Sequence, residues 1–142
     1  MLIEHPESVT IVAFDGPDAV VVIQPRPGTA DPTVELPAGC LEPGEDAAQA
    51  AARELREECS LAAVQWRLLG TFWAAPAYST ELVHVFEARG LTASAGRPDP
   101  DEHITVGRRP LSELPGALSD ATSIAAFALW AASGRPPAVE TQ

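Results

Sequence analysis

The sequence predicts an α/β fold in which a mixed β-sheet is covered on both faces by helices, an α/β/α sandwich. Three features point to it. β-branched runs alternate with Gly- and Pro-bearing turns, one alanine-rich helix interrupts them, and a second apolar helix closes the chain. Residues 8–14 (SVTIVAF) read as a strand, 15–18 (DGPD) as a turn and 19–24 (AVVVIQ) as a second strand, together a hairpin. A loop over 25–32 leads to a short strand at 33–36 and a second loop at 37–45. Residues 46–58 form the clearest helix, with five alanines and no Gly, Pro or β-branched residue. Its apolar stripe is expected at Ala48, Ala51, Ala52, Leu55 and Cys59. Strands follow at 64–73 and 80–88, then a loop at 92–101 and a last strand at 103–108. A short helix is expected at 110–114. Ser119 or Asp120 caps a final helix through Ala132, with Ile124, Ala128 and Ala131 on one face.

Composition narrows the function. The 142 residues suit one domain, its core at about 8–133, and 46% of them are apolar. Twenty acidic residues against nine basic ones give a net charge of −11, which argues against a nucleic-acid or anionic-membrane surface. Every basic residue is Arg, so a Schiff-base lysine and a Walker-type phosphate loop are excluded. Cys40 and Cys59 are too few for a disulfide framework and carry no metal-ligand spacing. No apolar run is long enough to span a membrane, and residues 1–7 lack a basic start and an apolar stretch. The expectation is a soluble cytoplasmic protein.

Chemistry concentrates on the 46–58 helix. Glu54, Glu57 and Glu58 sit at i, i+3 and i+4, stacked on one face. At ~5 Å and an effective dielectric of ~20, each pair costs about 3 kcal/mol before screening. Arg53 and Arg56 relieve part of this, and a hard divalent cation such as Mg²⁺ relieves more. Two Glu at this spacing are usually only a solvated face. The surrounding pattern changes that balance: Gly39, five residues, Glu45, seven residues, then Arg53-Glu54-Leu55-Arg56-Glu57-Glu58-Cys59-Ser60-Leu61.

This resembles the Nudix hydrolase signature, Gly-x5-Glu-x7-Arg-Glu-aliphatic-x-Glu-Glu-x-Gly-aliphatic. Every fixed position agrees except the last glycine, which is Ser60. Chance agreement at the specific identities is on the order of 10⁻⁷ per starting point. That glycine ends the helix with positive φ, where a serine costs about 1 kcal/mol. Glu35-Leu36-Pro37-Ala38-Gly39, Gln24-Pro25-Arg26 and Pro76-Ala77-Tyr78-Ser79-Thr80-Glu81 are similar to stretches of the ADP-ribose pyrophosphatase branch.

The resemblance implies a Nudix-type α/β/α sandwich. It further implies hydrolysis, dependent on Mg²⁺ or Mn²⁺, of a nucleoside diphosphate linked to another group, most closely ADP-ribose. By motif matching, Glu54 and Glu58 are metal ligands, Glu57 a third or water-mediated one, and the Ala38 carbonyl completes the shell. Gly39, Glu45 and Arg53 support the site. The general base is Glu57, Glu58 or an acid of the 92–102 loop, with Glu102 favoured and Asp101 and Asp99 behind it. Arg26 is a candidate phosphate ligand, and Pro76 and Tyr78 are candidate substrate contacts. Trp66, Trp73 and Trp130 read mainly as core residues, with Trp73 and Tyr78 also able to stack on a base. His84 reads as a packed strand residue. Partners implied are a small nucleotide and, from the family alone, a second copy in a homodimer. Alternatives are hydrolysis of nucleoside triphosphates or dinucleotides, and a non-catalytic nucleotide sensor.

Overall fold

The computed structural model describes residues 1–96, 100–101 and 103–134. Strand β1 (Ser8–Asp15) is buried along almost its whole length, which explains its continuous apolar run. It pairs antiparallel with β2 (Asp18–Gln24) through the expected hairpin, whose Gly16 takes φ 58°. Alternate β1 side chains serve two cores. Val9, Ile11 and Ala13 face one, and Val12 and Phe14 face the other.

The remaining strands are β3 (Thr33–Glu35), β4 (Ala38–Cys40), β5 (Leu61–Trp73), β6 (Leu82–Ala93) and β7 (Thr105–Pro110). The order is β3-β2-β1-β6-β5, with β4 pairing on β1 and β7 on β2. Among the strand pairs of the described residues, β1 and β6 alone run parallel, so the sheet is mixed. Three-residue β4 falls inside the stretch expected to be loop. β5 and β6 are longer than expected, the latter running through Thr92 and Ala93.

Helix α1 (Ala47–Cys59) covers the first core. Asp46 caps it: its Oδ1 accepts from Gln49 N at 2.8 Å while its own N–H donates to Gln49 Oε1 at 3.0 Å. The buried stripe is Ala50, Ala51, Leu55 and Cys59. Ala48 is exposed and Ala52 half-buried, which corrects the expected stripe by a small rotation. Alanines occupy nearly every position of the first two turns, so only Leu55 and Cys59 marked the inner face in the sequence. The rotation moves Glu54 and Glu58 to the border of the buried stripe. At the other end Ser60 takes φ 54°, ψ 41°, the left-handed conformation, and its N–H donates to Arg56 O at 2.9 Å.

A 3₁₀ turn (Leu111–Glu113) and α2 (Leu114–Ala117) replace the single short helix expected at 110–114. Helix α3 (Ala121–Ala132) covers the second core, capped by Asp120 Oδ2 accepting from Ser123 N at 3.2 Å. Its buried residues are Ser123, Ala126 and Trp130, not Ile124, Ala128 and Ala131. The helix is apolar on nearly every side, so periodicity named no single face. The Trp130 ring decides, packing with its centroid 4.9 Å from that of Phe14 at a 50° tilt and donating its N–H to the buried Glu87 at 2.9 Å. Trp66 is partly buried, but Trp73 is 58% exposed, correcting its expected core placement. His84 lies in β6 and faces Glu7 Oε1 at 3.4 Å. Among the described residues, no helix is long and apolar enough to cross a membrane.

Ser60→Gly relieves the left-handed strain and adds back some unfolded-chain entropy. A net stabilisation of about 0.5–1 kcal/mol is expected, read as a Tm rise of roughly 1–3 °C. An unchanged or lower Tm would show that Ser60 is not strained.

Candidate functional site

The site forms where α1 crosses β4. Val9 pairs opposite Gly39, and the Ala38 N–H, turned away from β1, donates to Glu58 Oε1 at 2.9 Å. An extended residue presents its N–H and C=O to the same side, so the Ala38 carbonyl also points away from β1. One turn earlier the Glu54 carboxylate lies directly against Gly39, where any Cβ would overlap it. A glycine there lets backbone and carboxylate meet, which explains its place in the motif.

Arg53 organises the acids around it. Its Nε and Nη2 donate to the two oxygens of Glu45 at 2.8 and 2.9 Å. Its Nη1 donates to Glu54 Oε1 at 2.8 Å and to Glu57 Oε2 at 3.1 Å. Nη2 also donates to Cys40 O at 2.9 Å, tying the helix back to β4. These bonds, first the one to Glu45, raise the Arg53 pKa, and Arg53 in turn holds the Glu45 carboxyl below its ordinary value. The expected three-carboxylate stack therefore divides. Glu58 meets the Ala38 N–H, Glu54 lies between Gly39 and Arg53, and the more exposed Glu57 leans on Arg53.

Among the described residues, no three His, Cys, Asp or Glu side chains converge closely enough to hold an ion by themselves. The donors present are two carboxylates and a main-chain carbonyl. This hard-oxygen set fits Mg²⁺ or Mn²⁺, because Mg²⁺ typically takes one or two carboxylates and completes its shell with water and substrate phosphate.

Arg26, in the loop after β2, is gripped by Glu35 of β3, with Nε and Nη2 donating to its two oxygens at 2.9 Å each. It also lies close enough to Glu58 to feel that charge. Burial pushes the Glu35 carboxyl up, but the Arg26 fork, the Thr33 hydroxyl and the Arg26 charge outweigh it and leave it lowered. Pro76 and Tyr78 lie in the turn between β5 and β6, where the Tyr78 and Ser79 N–H groups donate to Ala75 O at 3.1 and 2.8 Å. Tyr78 is 55% exposed. Ser8, opposite Cys40 in the sheet, donates to Glu81 Oε2 at 2.7 Å and so ties this turn to the start of β1, beside β4. Burial, then Glu81 and Glu54, push the Cys40 thiol up. Glu35 and Glu81 thus join the site region, though sequence spacing gave neither a role. Glu102 and Asp99 lie outside the described residues, and Asp101 is exposed.

A family model described as the NUDIX domain matches residues 4–128. An ADP-ribose pyrophosphatase of Mycobacterium tuberculosis is 39% identical over 117 residues, 79% of this chain and 56% of that protein. A methanol dehydrogenase activator of Bacillus methanolicus is 33% identical over 115 residues, 79% of this chain and 62% of that protein. The chain thus spans about three fifths of these relatives. A solved ADP compounds hydrolase superposes with a TM-score of 0.82 at 25% identity, covering 92% of this chain and 75% of the other.

Glu45 and Glu35 set an acid limb. Both carboxyls are lowered on folding, so their stabilisation is complete above the unfolded value of about 4.3 and lost as pH falls through the folded values. Tm is expected to hold from pH 7 to about 5 and then fall. Glu45→Gln should lower Tm at pH 7 and flatten part of that fall. An unchanged acid limb would show the Arg53 pair to be energetically idle.

Proposed function

Because this chain belongs to the NUDIX family, we propose that it hydrolyses the pyrophosphate bond of a nucleoside diphosphate linked to a second moiety. ADP-ribose, cleaved to AMP and ribose 5-phosphate, is the foremost substrate. The observation that carries this is the seating of Glu54 and Glu58 on the Gly39 and Ala38 backbone in a chain of net charge −11. The substrate is anionic, so the acidic site needs a cation to accept it.

Glu54, Glu58 and the Ala38 carbonyl would hold a Mg²⁺ or Mn²⁺ ion, with Glu57 as a further carboxylate. Such an ion, when bound, polarises phosphoryl oxygens and favours ionisation of water. The protein does the rest. Arg53 fixes the carboxylates, so little reorganisation is left for the reaction. Arg26 receives a phosphate oxygen, and Pro76 and Tyr78 contact the remainder of the substrate. Glu102 serves as general base, with Glu57 and Glu58 as the other candidates. Three mutually repelling glutamates are hard to explain in a protein that only senses a nucleotide. The relatives named as acting on ADP-ribose and ADP compounds support an ADP-linked substrate over a triphosphate. The proposal includes a cytoplasmic setting and a homodimer.

The test is a product screen over nucleotide sugars, dinucleotides and triphosphates with Mg²⁺ and with Mn²⁺. Release of AMP from ADP-ribose supports the proposal, and turnover of triphosphates alone rejects it. Glu58→Gln is expected to lower kcat at least about 100-fold with an unchanged circular dichroism spectrum. Comparable activity would remove Glu58 from the metal set. Glu102→Gln should reduce kcat while leaving the metal concentration for half-maximal rate nearly unchanged. An unaltered kcat would dismiss it as the base.

A further inference from the structure

We propose that Glu35 is a positioning residue, whose carboxylate holds the Arg26 guanidinium in the orientation that receives the substrate phosphate. This rests on the phosphate role of Arg26 given above and deepens it.

Glu35 is only 6% exposed and lies three residues before Ala38 in a chain of net charge −11. A carboxylate buried there adds to the negative field an anionic substrate must enter, and it is costly to bury without a partner. Both its oxygens are committed to one arginine, through Nε and Nη2 at 2.9 Å each. The Thr33 hydroxyl donates to Oε2 at 2.5 Å and so fixes the carboxylate itself. The sheet supplies this geometry. Gln24 of β2 pairs with Thr33 of β3, and Val22 with Glu35, so Arg26, two residues past the end of β2, folds back over β3.

The opposite edge of the guanidinium is left open. Among the described residues Nη1 makes no hydrogen bond, and the Arg26 side chain is half exposed. Arg26 is close enough to Glu58 for the two charges to interact. An ordinary surface pair in the same molecule looks different. Arg108 meets Asp15 through Nε at 2.9 Å, with both side chains exposed. A two-point grip by a buried carboxylate removes the rotamer freedom that a loop arginine would otherwise lose when it met a phosphate.

The experiment is a double-mutant cycle read by steady-state kinetics on ADP-ribose with Mg²⁺ and by calorimetric Kd for a non-hydrolysable ADP-ribose analogue with Mg²⁺. Arg26→Ala is expected to raise KM and Kd by about tenfold or more. Glu35→Gln should raise both about tenfold with kcat within about twofold, and it should add nothing in the Arg26→Ala background. An Arg26→Ala variant with wild-type KM and Kd overturns the phosphate role of Arg26. A normal Arg26→Ala loss with wild-type binding in Glu35→Gln, or additive effects of the two changes, overturns the role of Glu35 alone. If Glu35→Gln does not fold, Arg26→Lys decides: it keeps the charge but cannot be gripped at two points. Most of the binding should be lost in that variant, and wild-type KM and Kd would overturn the proposal.

Discussion

One arginine makes the acidic face of α1 tolerable. Arg53 spreads its donors over Glu45, Glu54, Glu57 and the Cys40 carbonyl, all within 2.8–3.1 Å. Without that countercharge the glutamates at i, i+3 and i+4 would repel one another and splay into solvent. With it, Glu54 rests on Gly39 and Glu58 on the Ala38 N–H, so the helix is keyed to a strand of three residues. Stability and chemistry are therefore built from the same contacts. The side chain that neutralises the acids also aims them.

The fold was legible where residues differ strongly in what they want. β1, mostly apolar and rich in β-branched residues, read plainly as a strand. The α1 span was nearly as plain, because its alanine-rich run holds no Gly, Pro or β-branched residue, and the structure shifts it by one residue with Asp46 as the cap. Legibility failed where the choices were nearly equal in energy. α3 is apolar all round, so its buried face follows from the fit of Trp130 against Phe14 and Glu87, a tertiary fact with no local pattern. The alanines of α1 left its rotation open by a fraction of a turn. β4 is too short to carry a period and exists because it lies across β1 from Ser8 to Thr10.

In the site, the spaced motif identified the residues that the structure gathers at β4, namely Ala38, Gly39, Glu54 and Glu58, with Arg53 beside them. It said nothing of how the three glutamates divide between backbone and arginine, since that depends on helix rotation. Glu35 and Glu81 escaped because each becomes meaningful only through a partner far along the chain or across the sheet, Arg26 and Ser8. Glu102 and Asp99 were named for their loop and lie outside the described residues.

The outermost strand of the sheet has a bearing on how the protein behaves at high concentration. Among the described residues β5 pairs only with β6, and its thirteen residues include no Asp, Glu, Lys or Pro. Val64, Leu68 and Trp73 are exposed along it. Arg67 and the irregular register between Leu68 and Gly70 are its main interruptions. Molecules that each carry −11 repel one another, which opposes such margins zipping together. Added electrolyte shortens the reach of that repulsion to a few ångströms. Salting a concentrated stock thus removes the safeguard that the acidic composition provides.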